Sequence, residues 1–318
     1  MDDSLLDLMI CRIPGLKGNE RIRLVKEVSR IDDFLSLSKG DIENKIERVL
    51  PPMPWKMADL LANAEKDAEL CARSNIRRVS WREQAYPPLL REIFDPPVLL
   101  FFRGVLADPE KPMAAVVGTR KPSPMGAQRA FKLGRELGEA GIPVVSGLAL
   151  GIDSMAHRGN IEGKAATVAV LGSGVDMIFP ASNRDLARRI LETGGAVVSE
   201  YPPGTVPAKW NFPARNRIIS ALARGVVIVE APEKSGALIT AQFALDQDRD
   251  LWVDSYGVKS PNGAGTARLV EDGAPVISSA EDILAEWKIA KCEKGKDPAR
   301  NNASGLASSM AEYLDINL

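Results

Sequence analysis

Apolar residues recur with two different periods along this chain, and the change from one to the other divides it. Leu5, Leu8 and Met9 stand at helical spacing, as do Ile22, Leu24, Val25 and Val28. Apolar side chains three and four apart share one face of a helix. No strand pattern interrupts them, so residues 1–70 read as a small all-helical domain of the SAM or helix-hairpin-helix kind. Pro51, Pro52 and Pro54 break the pattern, because proline removes a backbone donor and clashes with a preceding helical turn. Residues 57–71 then read as a connecting helix. Inside the helical part lies Ile13-Pro14-Gly15-Leu16-Lys17-Gly18. That turn either presents backbone N–H groups to a phosphate or only closes a tight bend.

Beyond residue 71 the period shortens. Val98-Leu99-Leu100-Phe101-Phe102 is a strand approached through prolines that hold the chain extended. Further apolar, β-branched runs lie at 113–117, 143–146, 165–171, 196–199, 226–230 and 251–254. Helical segments at 126–140, 154–162, 183–192 and 238–245 separate most of them, and in the first of these Ala130, Leu133 and Leu137 share one side. Asn183 is the expected N-cap of the third helix and Gly194 its stop. Runs that are apolar throughout and alternate with helices indicate a parallel sheet covered on both faces. The expected fold is therefore α/β: an extended Rossmann-like, doubly wound, mostly parallel sheet over 71–290. A polar tail follows at 291–318, and its end, 310–318, reads as a short docking helix.

Candidate chemistry gathers where these strands end. In an open parallel sheet, ligands bind beyond the carboxyl ends of the strands. The first strand of the series leads into Gly118-Thr119-Arg120, the second into Ser146-Gly147, the third into Gly172-Ser173-Gly174. The 226–230 strand leads into Lys234-Ser235-Gly236. Glycine and serine loops at helix starts attract anions through backbone N–H groups and the helix dipole. Arg120 adds a planar fork suited to phosphate oxygens. The dinucleotide fingerprint and the P-loop sequence are both absent, which disfavours a nicotinamide or ATP enzyme.

A second informative stretch is Lys209-Trp210-Asn211-Phe212-Pro213-Ala214-Arg215-Asn216-Arg217. Cations answer phosphate charge and a flat ring answers an exposed base, so the mixture suits single-stranded nucleic acid. Trp210 is assigned to the core here and Phe212, between Lys209 and Arg215, to the ligand. The lone histidine, His157, lies four residues after Asp153 on the same side of a helix start. It is read as structural, or at most a hydrogen-bonding helper. With one histidine, a metal cluster or a histidine triad has little to build on. Glu200 and Glu230 end strands; as carboxylates they could act as acid or base, but anchoring arginines or capping turns is the favoured role.

Composition adds limits. The 318 residues are 45% hydrophobic and 26% charged, with a formal net charge of -1, so a polyanion must be met by a local basic patch. Three scattered cysteines form neither a ligand pair nor a disulfide ladder, which points to a reducing, cytoplasmic setting. No basic leader and no apolar run of ~20 residues is present, so no membrane association is expected.

Several motifs together resemble the DNA-processing protein A (DprA/Smf) family. They are Val117-Gly118-Thr119-Arg120, the run from Ser146 to Asp153 with Ala156-His157, Val198-Ser199-Glu200, the run from Phe212 to Ile219, and the run from Glu230 to Ala241. The resemblance extends in order from about Trp81 to Ile277. It implies a non-enzymatic, dimeric protein that binds single-stranded DNA and helps load the RecA recombinase in natural transformation, with no cofactor. The DNA contacts it implies fall on Arg120, Ser146, Gly147, Lys209, Phe212, Arg215 and Lys234. Phosphate-loop roles are expected of Gly118, Thr119, Gly172, Gly174, Ser235 and Gly236. Three positions depart from the usual pattern: Leu150 where arginine is common, Ser255-Tyr256-Gly257 where a Pro-Gly is usual, and Ala267 where Gly-Thr-Asn would end in asparagine. The 291–318 tail is too short for the winged-helix domain of longer members. The rival is a nucleotide-acting enzyme of the lysine-decarboxylase-like phosphoribohydrolase type, whose Pro-Gly-Gly-x-Gly-Thr-x-x-Glu motif this sequence lacks.

Overall fold

A computed structural model describes residues 3–289; the tail expectations at 291–318, and Cys292 with them, lie outside the described residues. Five helices come first: α1 (Leu6–Arg12), α2 (Gly18–Glu27), α3 (Ile31–Leu35), α4 (Lys39–Ile46) and α5 (Met57–Arg73). The chain then alternates through β1 (Arg77–Ser80), α6 (Pro88–Arg91), β2 (Leu99–Gly104), β3 (Ala114–Val117), α7 (Pro124–Glu139), β4 (Val144–Ser146), α8 (Ile152–Glu162) and β5 (Val168–Val170). It continues through α9 (Arg184–Glu192), β6 (Ala196–Ser199), α10 (Asn211–Leu222), β7 (Gly225–Ile228), α11 (Gly236–Asp246) and β8 (Asp250–Asp254). Two short helices, α12 (Ser255–Lys259) and α13 (Ala264–Glu271), precede β9 (Val276–Ile277) and α14 (Ala280–Trp287).

The described strands form one sheet in the order β1-β2-β6-β5-β4-β3-β7-β8-β9. From β6 to β9 every pairing is parallel, while β1–β2 and β2–β6 are antiparallel. Strand order runs outward from β3 through β4, β5 and β6, then restarts on its other side with β7. The crossovers therefore diverge between β3 and β7, the switch point where such sheets open a crevice.

Alternation along β3 shows how the sheet is covered. Ala114 and Val116 pack with Ala130, Leu133 and Leu137 of α7 and Ile152 and Ala156 of α8. Ala115 and Val117 pack on the other face with Ile218 and Ile219 of α10 and Ala237 and Ala241 of α11. Successive strand residues point to opposite faces, so two helical layers need a strand apolar on both. Helices α7 and α8 cross closely because glycines meet backbone: a Cβ on Gly138 would stand 2.7 Å from the Asn160 carbonyl oxygen. Asn160 itself donates to the Gly134 and Ile142 carbonyls and accepts from Val144 N–H.

The N-terminal helices share a core with Leu99, Phe101, Ala169 and Val197 of the sheet. Their Pro-Gly turn closes a bend. Gly15 is left-handed at φ 77, and the start of α2 is already satisfied by protein carboxylates. Asn19 N–H donates to Asp95 at 3.1 Å and Lys17 N–H to Glu20 at 2.8 Å. Asp95 thus stands where an anion would at the start of α2. Asn183 holds the expected N-cap position of α9, but its side chain makes no cap hydrogen bond; it donates instead to the Leu148 carbonyl at 2.9 Å and tethers the β4 loop. Among the described residues no helix is long and apolar enough to cross a membrane.

Candidate functional site

Above the β3–β7 switch point lies an open cleft of about 690 Å³. Three segments build its walls. Gly118-Thr119-Arg120-Lys121 leaves β3, residues 209–216 lead into α10, and residues 232–237 lead from β7 into α11. The first is pulled tight: Thr119 N–H donates to the Glu230 carbonyl at 2.8 Å, and Ile152 N–H donates to the Thr119 carbonyl at 3.2 Å. Gly118 is required by these neighbours, since a Cβ there would meet Ile152 at 2.6 Å and the Glu230 carbonyl at 2.8 Å. Glu230 itself is fully buried and accepts from Ser123 N–H at 2.9 Å and from the Ser123 and Ser260 hydroxyls. It is a turn anchor.

Arg120, Lys121, Lys209 and Lys234 are exposed around this opening, and among the described residues none is held in an ion pair. Ser235 caps α11, its hydroxyl accepting from Ala237 N–H at 3.2 Å. Gly236 beside it faces open space. Phe212 forms the apolar floor, with the Arg120 guanidinium 5.5 Å from its ring centre and the Phe179 ring centre also 5.5 Å away. One carboxylate, Asp153, stands against these cations in the lining. The potential in the cleft is therefore positive although the whole chain carries -1, and low-dielectric walls concentrate it.

Arg215 differs from the other cations. It is 4% exposed and donates to the Gly147 carbonyl at 2.8 Å and to the Val170 carbonyl. Burial pulls its guanidinium down to about 10, opposed by neighbouring Asp153, so it remains charged at neutral pH. Burial likewise raises Asp153, opposed by Arg215 and by hydrogen bonds from Ala149 and Gly147 N–H. These two neighbouring side chains both lie against Gly147 of the β4 loop. Arg217 is equally committed, donating to both Glu200 oxygens at 2.6 and 2.7 Å and to Asp95 at 3.1 Å.

Four of the residues expected at the ligand do not line this cleft. The Ser146 hydroxyl is buried and donates to the Val116 carbonyl at 2.7 Å. Gly147 N–H donates to Asp153 at 3.1 Å. Gly172 lies behind Phe212, and its carbonyl accepts from Asn211 at 3.0 Å. Gly174 N–H donates to the Thr205 carbonyl. None of these four opens on the cleft, because protein groups already occupy the place a ligand would take. Arg215 reaches the lining while its Nη1 donates inward, to the Gly147 and Val170 carbonyls. Trp210, assigned to the core from sequence, is 69% exposed and outside the cleft: it precedes α10 on the solvent side.

The structure adds residues that sequence pattern missed. Lys121 adjoins Arg120, and simple adjacency of two cations would have found it. Phe179, Asn216 and Asn262 also line the cleft, and nothing in their spacing announces it. His157 is fully buried below the β4–β5 strands. Its Nδ1 is 2.7 Å from the Thr167 hydroxyl, which donates to the Val144 carbonyl at 2.6 Å, so Nδ1 carries the proton. Burial, then the nearby Arg215, lowers it to about 3. Among the described residues no cluster is arranged to hold a metal ion.

Comparison with known proteins agrees with this architecture. The family model for DNA recombination-mediator protein A matches residues 77–288. DNA processing protein DprA of Bacillus subtilis is 36% identical over 297 residues, spanning 90% of this chain and 96% of the relative. Protein Smf of Escherichia coli is 34% identical over 289 residues, spanning 89% and 75%. The X-ray structure of DprA from Streptococcus pneumoniae superposes with a TM-score of 0.72 at 32% identity, over 90% of this chain and 98% of that one. A DprA structure from Helicobacter pylori, described for its single-stranded DNA binding mode, superposes with a TM-score of 0.59 at 28% identity, over 67% and 95%. This chain belongs to the DNA recombination-mediator protein A family, the DprA/Smf proteins.

Proposed function

We propose that this protein binds single-stranded DNA in the cleft between the β3 and β7 loops. The observation that carries it is the ring of exposed cations, Arg120, Lys121, Lys209 and Lys234, around the aromatic floor at Phe212. Cations on a rim grip successive phosphates, and a ring at the floor takes a base that is free to leave its stack. Both contacts are available to an unpaired strand, while a duplex keeps its bases inside. Binding in a relative is described in the Helicobacter pylori structure. The strand contacts Arg120, Lys209, Phe212 and Lys234 directly; Arg215 holds the loop beneath them, and Ser235 and Gly236 give a phosphate room at the start of α11.

The role is a handling role with no chemical turnover. Three carboxylates beside the cleft are engaged by the protein itself: Asp153 by backbone N–H groups, Glu200 by Arg217, Glu230 by serines. None of these three is poised to move a substrate proton, which weighs against a nucleotide hydrolase built on them. Loading of the RecA recombinase, a homodimeric state and a cytoplasmic setting follow from the family resemblance and complete the proposal. The test is fluorescence anisotropy with a labelled oligothymidylate. The Arg120→Ala, Lys209→Ala double variant should bind much more weakly than wild type; undiminished binding would rule out this site.

A further inference from the structure

Phe179 is the aromatic residue that neither its sequence spacing nor the family resemblance singled out. It is 45% exposed, yet it lines the cleft and faces Phe212 with ring centres 5.5 Å apart and a tilt of 36°. Aromatic rings commonly pair at such distances, tilted or offset. What is unusual is which of the two rings remains available. Phe212 already has two neighbours, the Arg120 guanidinium and Phe179. Phe179 has the more open ring.

The loop that carries Phe179 is fixed at both ends. The Ser173 hydroxyl donates to the Met177 carbonyl at 2.7 Å, and Met177 N–H donates to Gly174 at 2.9 Å. Asp176 accepts from Gly204 N–H at 2.9 and 3.0 Å. On the far side, Asn183 N–H donates to the Pro180 carbonyl at 3.0 Å while its side chain holds the β4 loop. An apolar ring held rigidly in water beside cations is a preorganised surface, and preorganisation lowers the entropic cost of binding.

Resting on the single-stranded DNA reading above, we propose that Phe179 is a second base-stacking residue, so that the cleft takes two neighbouring bases and not one. Phe212 and Phe179 form one stepped platform: a base on each ring, with the connecting phosphate facing the rim cations. Because every base has a π-face, this contact tolerates any sequence. It also sets the ligand class, an unpaired strand of at least two nucleotides; a mononucleotide would use half the platform.

The test separates bases from backbone. Anisotropy titrations would use a labelled oligothymidylate and an abasic oligomer of the same length, with wild type, Phe179→Ala, Phe179→Trp, Trp210→Ala and the Arg120→Ala, Lys209→Ala double variant. Phe179→Ala should weaken oligothymidylate binding at least about fivefold, the loss expected of one stacked base, and leave the abasic oligomer unaffected. Phe179→Trp should retain wild-type affinity, and Trp210→Ala, outside the cleft, should change nothing. The proposal is overturned by unchanged oligothymidylate binding in Phe179→Ala, by an equal loss on both oligomers, or by an equal loss in Trp210→Ala. If Phe179→Ala is silent while the double variant weakens both oligomers, the cleft stands and the second stacking site falls. If the double variant is silent as well, the cleft itself is wrong.

Discussion

Two pairs of loops at the same edge of one sheet meet opposite fates. The β3 and β7 loops open on the cleft, whereas Ser146 and Gly147 after β4 and Gly172 and Gly174 after β5 are sealed, and the β5 loop returns to the cleft further on, at Phe179. The difference lies in what the protein supplies. Arg215 and Asp153 occupy the β4 loop, donating to Gly147 and accepting from it. Asn211 and Phe212 cover Gly172 of the β5 loop. Across the switch point, Arg120, Lys121 and Lys234 face solvent and Gly236 has nothing within 4 Å of a Cβ position. A glycine loop at a helix start is an anion site only where no internal group has taken the anion's or the cation's place. Here the sealed glycines and serine serve as the foundation, and the open β3 and β7 loops, with Phe179 beyond the β5 glycines, as the grip.

The sharpest way to break this comparison is to empty the sealed side. Arg215→Ala would remove a neighbouring countercharge from buried Asp153 and leave two carbonyls without that donor, and each buried polar group left unsatisfied costs about 1–3 kcal/mol. Urea denaturation should show that loss. A destabilisation within the range of a surface substitution would mean that Arg215 is available to ligand after all. On the open side, the Arg120→Ala, Lys209→Ala variant should keep wild-type stability but lose about 2 kcal/mol of oligonucleotide affinity near 0.1 M salt. The slope of log affinity against log salt should flatten by about 1.4, since each phosphate contact on a single strand contributes about 0.7. An unchanged slope would place the phosphates elsewhere.

His157 gives a smaller effect with a defined sign. The folded protein keeps it neutral down to about 3, while the unfolded chain takes up a proton near 6.5. Below pH 6.5 the unfolded state is therefore favoured, by up to about 1.4 kcal/mol per pH unit, until the folded-state value near 3 is reached. Asp153, raised by burial, acts in the opposite direction, so the informative quantity is wild type minus His157→Gln. That difference should grow between pH 6.5 and pH 5; a flat difference would mean that His157 is not buried neutral. The smallest effect belongs to Ser146→Ala. It removes one buried hydroxyl bond to Val116, worth about 1 kcal/mol of stability, and should leave oligonucleotide affinity alone. A binding defect would show that the β4 loop is open.

Much of the architecture was legible in the amino-acid order. Apolar runs at 113–117 and 226–230 gave β3 and β7, and the helical face of Ala130, Leu133 and Leu137 gave α7. The antiparallel β1 and the two-residue β9 were not legible, being short edge strands with little pattern of their own. In the basic stretch before and within α10, all cations look alike in sequence. Lys209, two residues before the helix, faces solvent, while helical geometry sends Arg215 under the β4 loop and Arg217 to Glu200.

What the sequence determined alone was the set of parts: a parallel sheet with helices on both faces, loops able to receive anions, and cations beside an aromatic ring. Periodicity and local turn chemistry carry that much, because they depend on neighbours along the chain. Only the tertiary structure decided which loops stay open, that Trp210 faces water, and that Phe179 joins Phe212. Those outcomes depend on which distant groups arrive to fill each space. Burial and hydrogen-bond satisfaction are settled between segments far apart in the chain, and no local pattern encodes them.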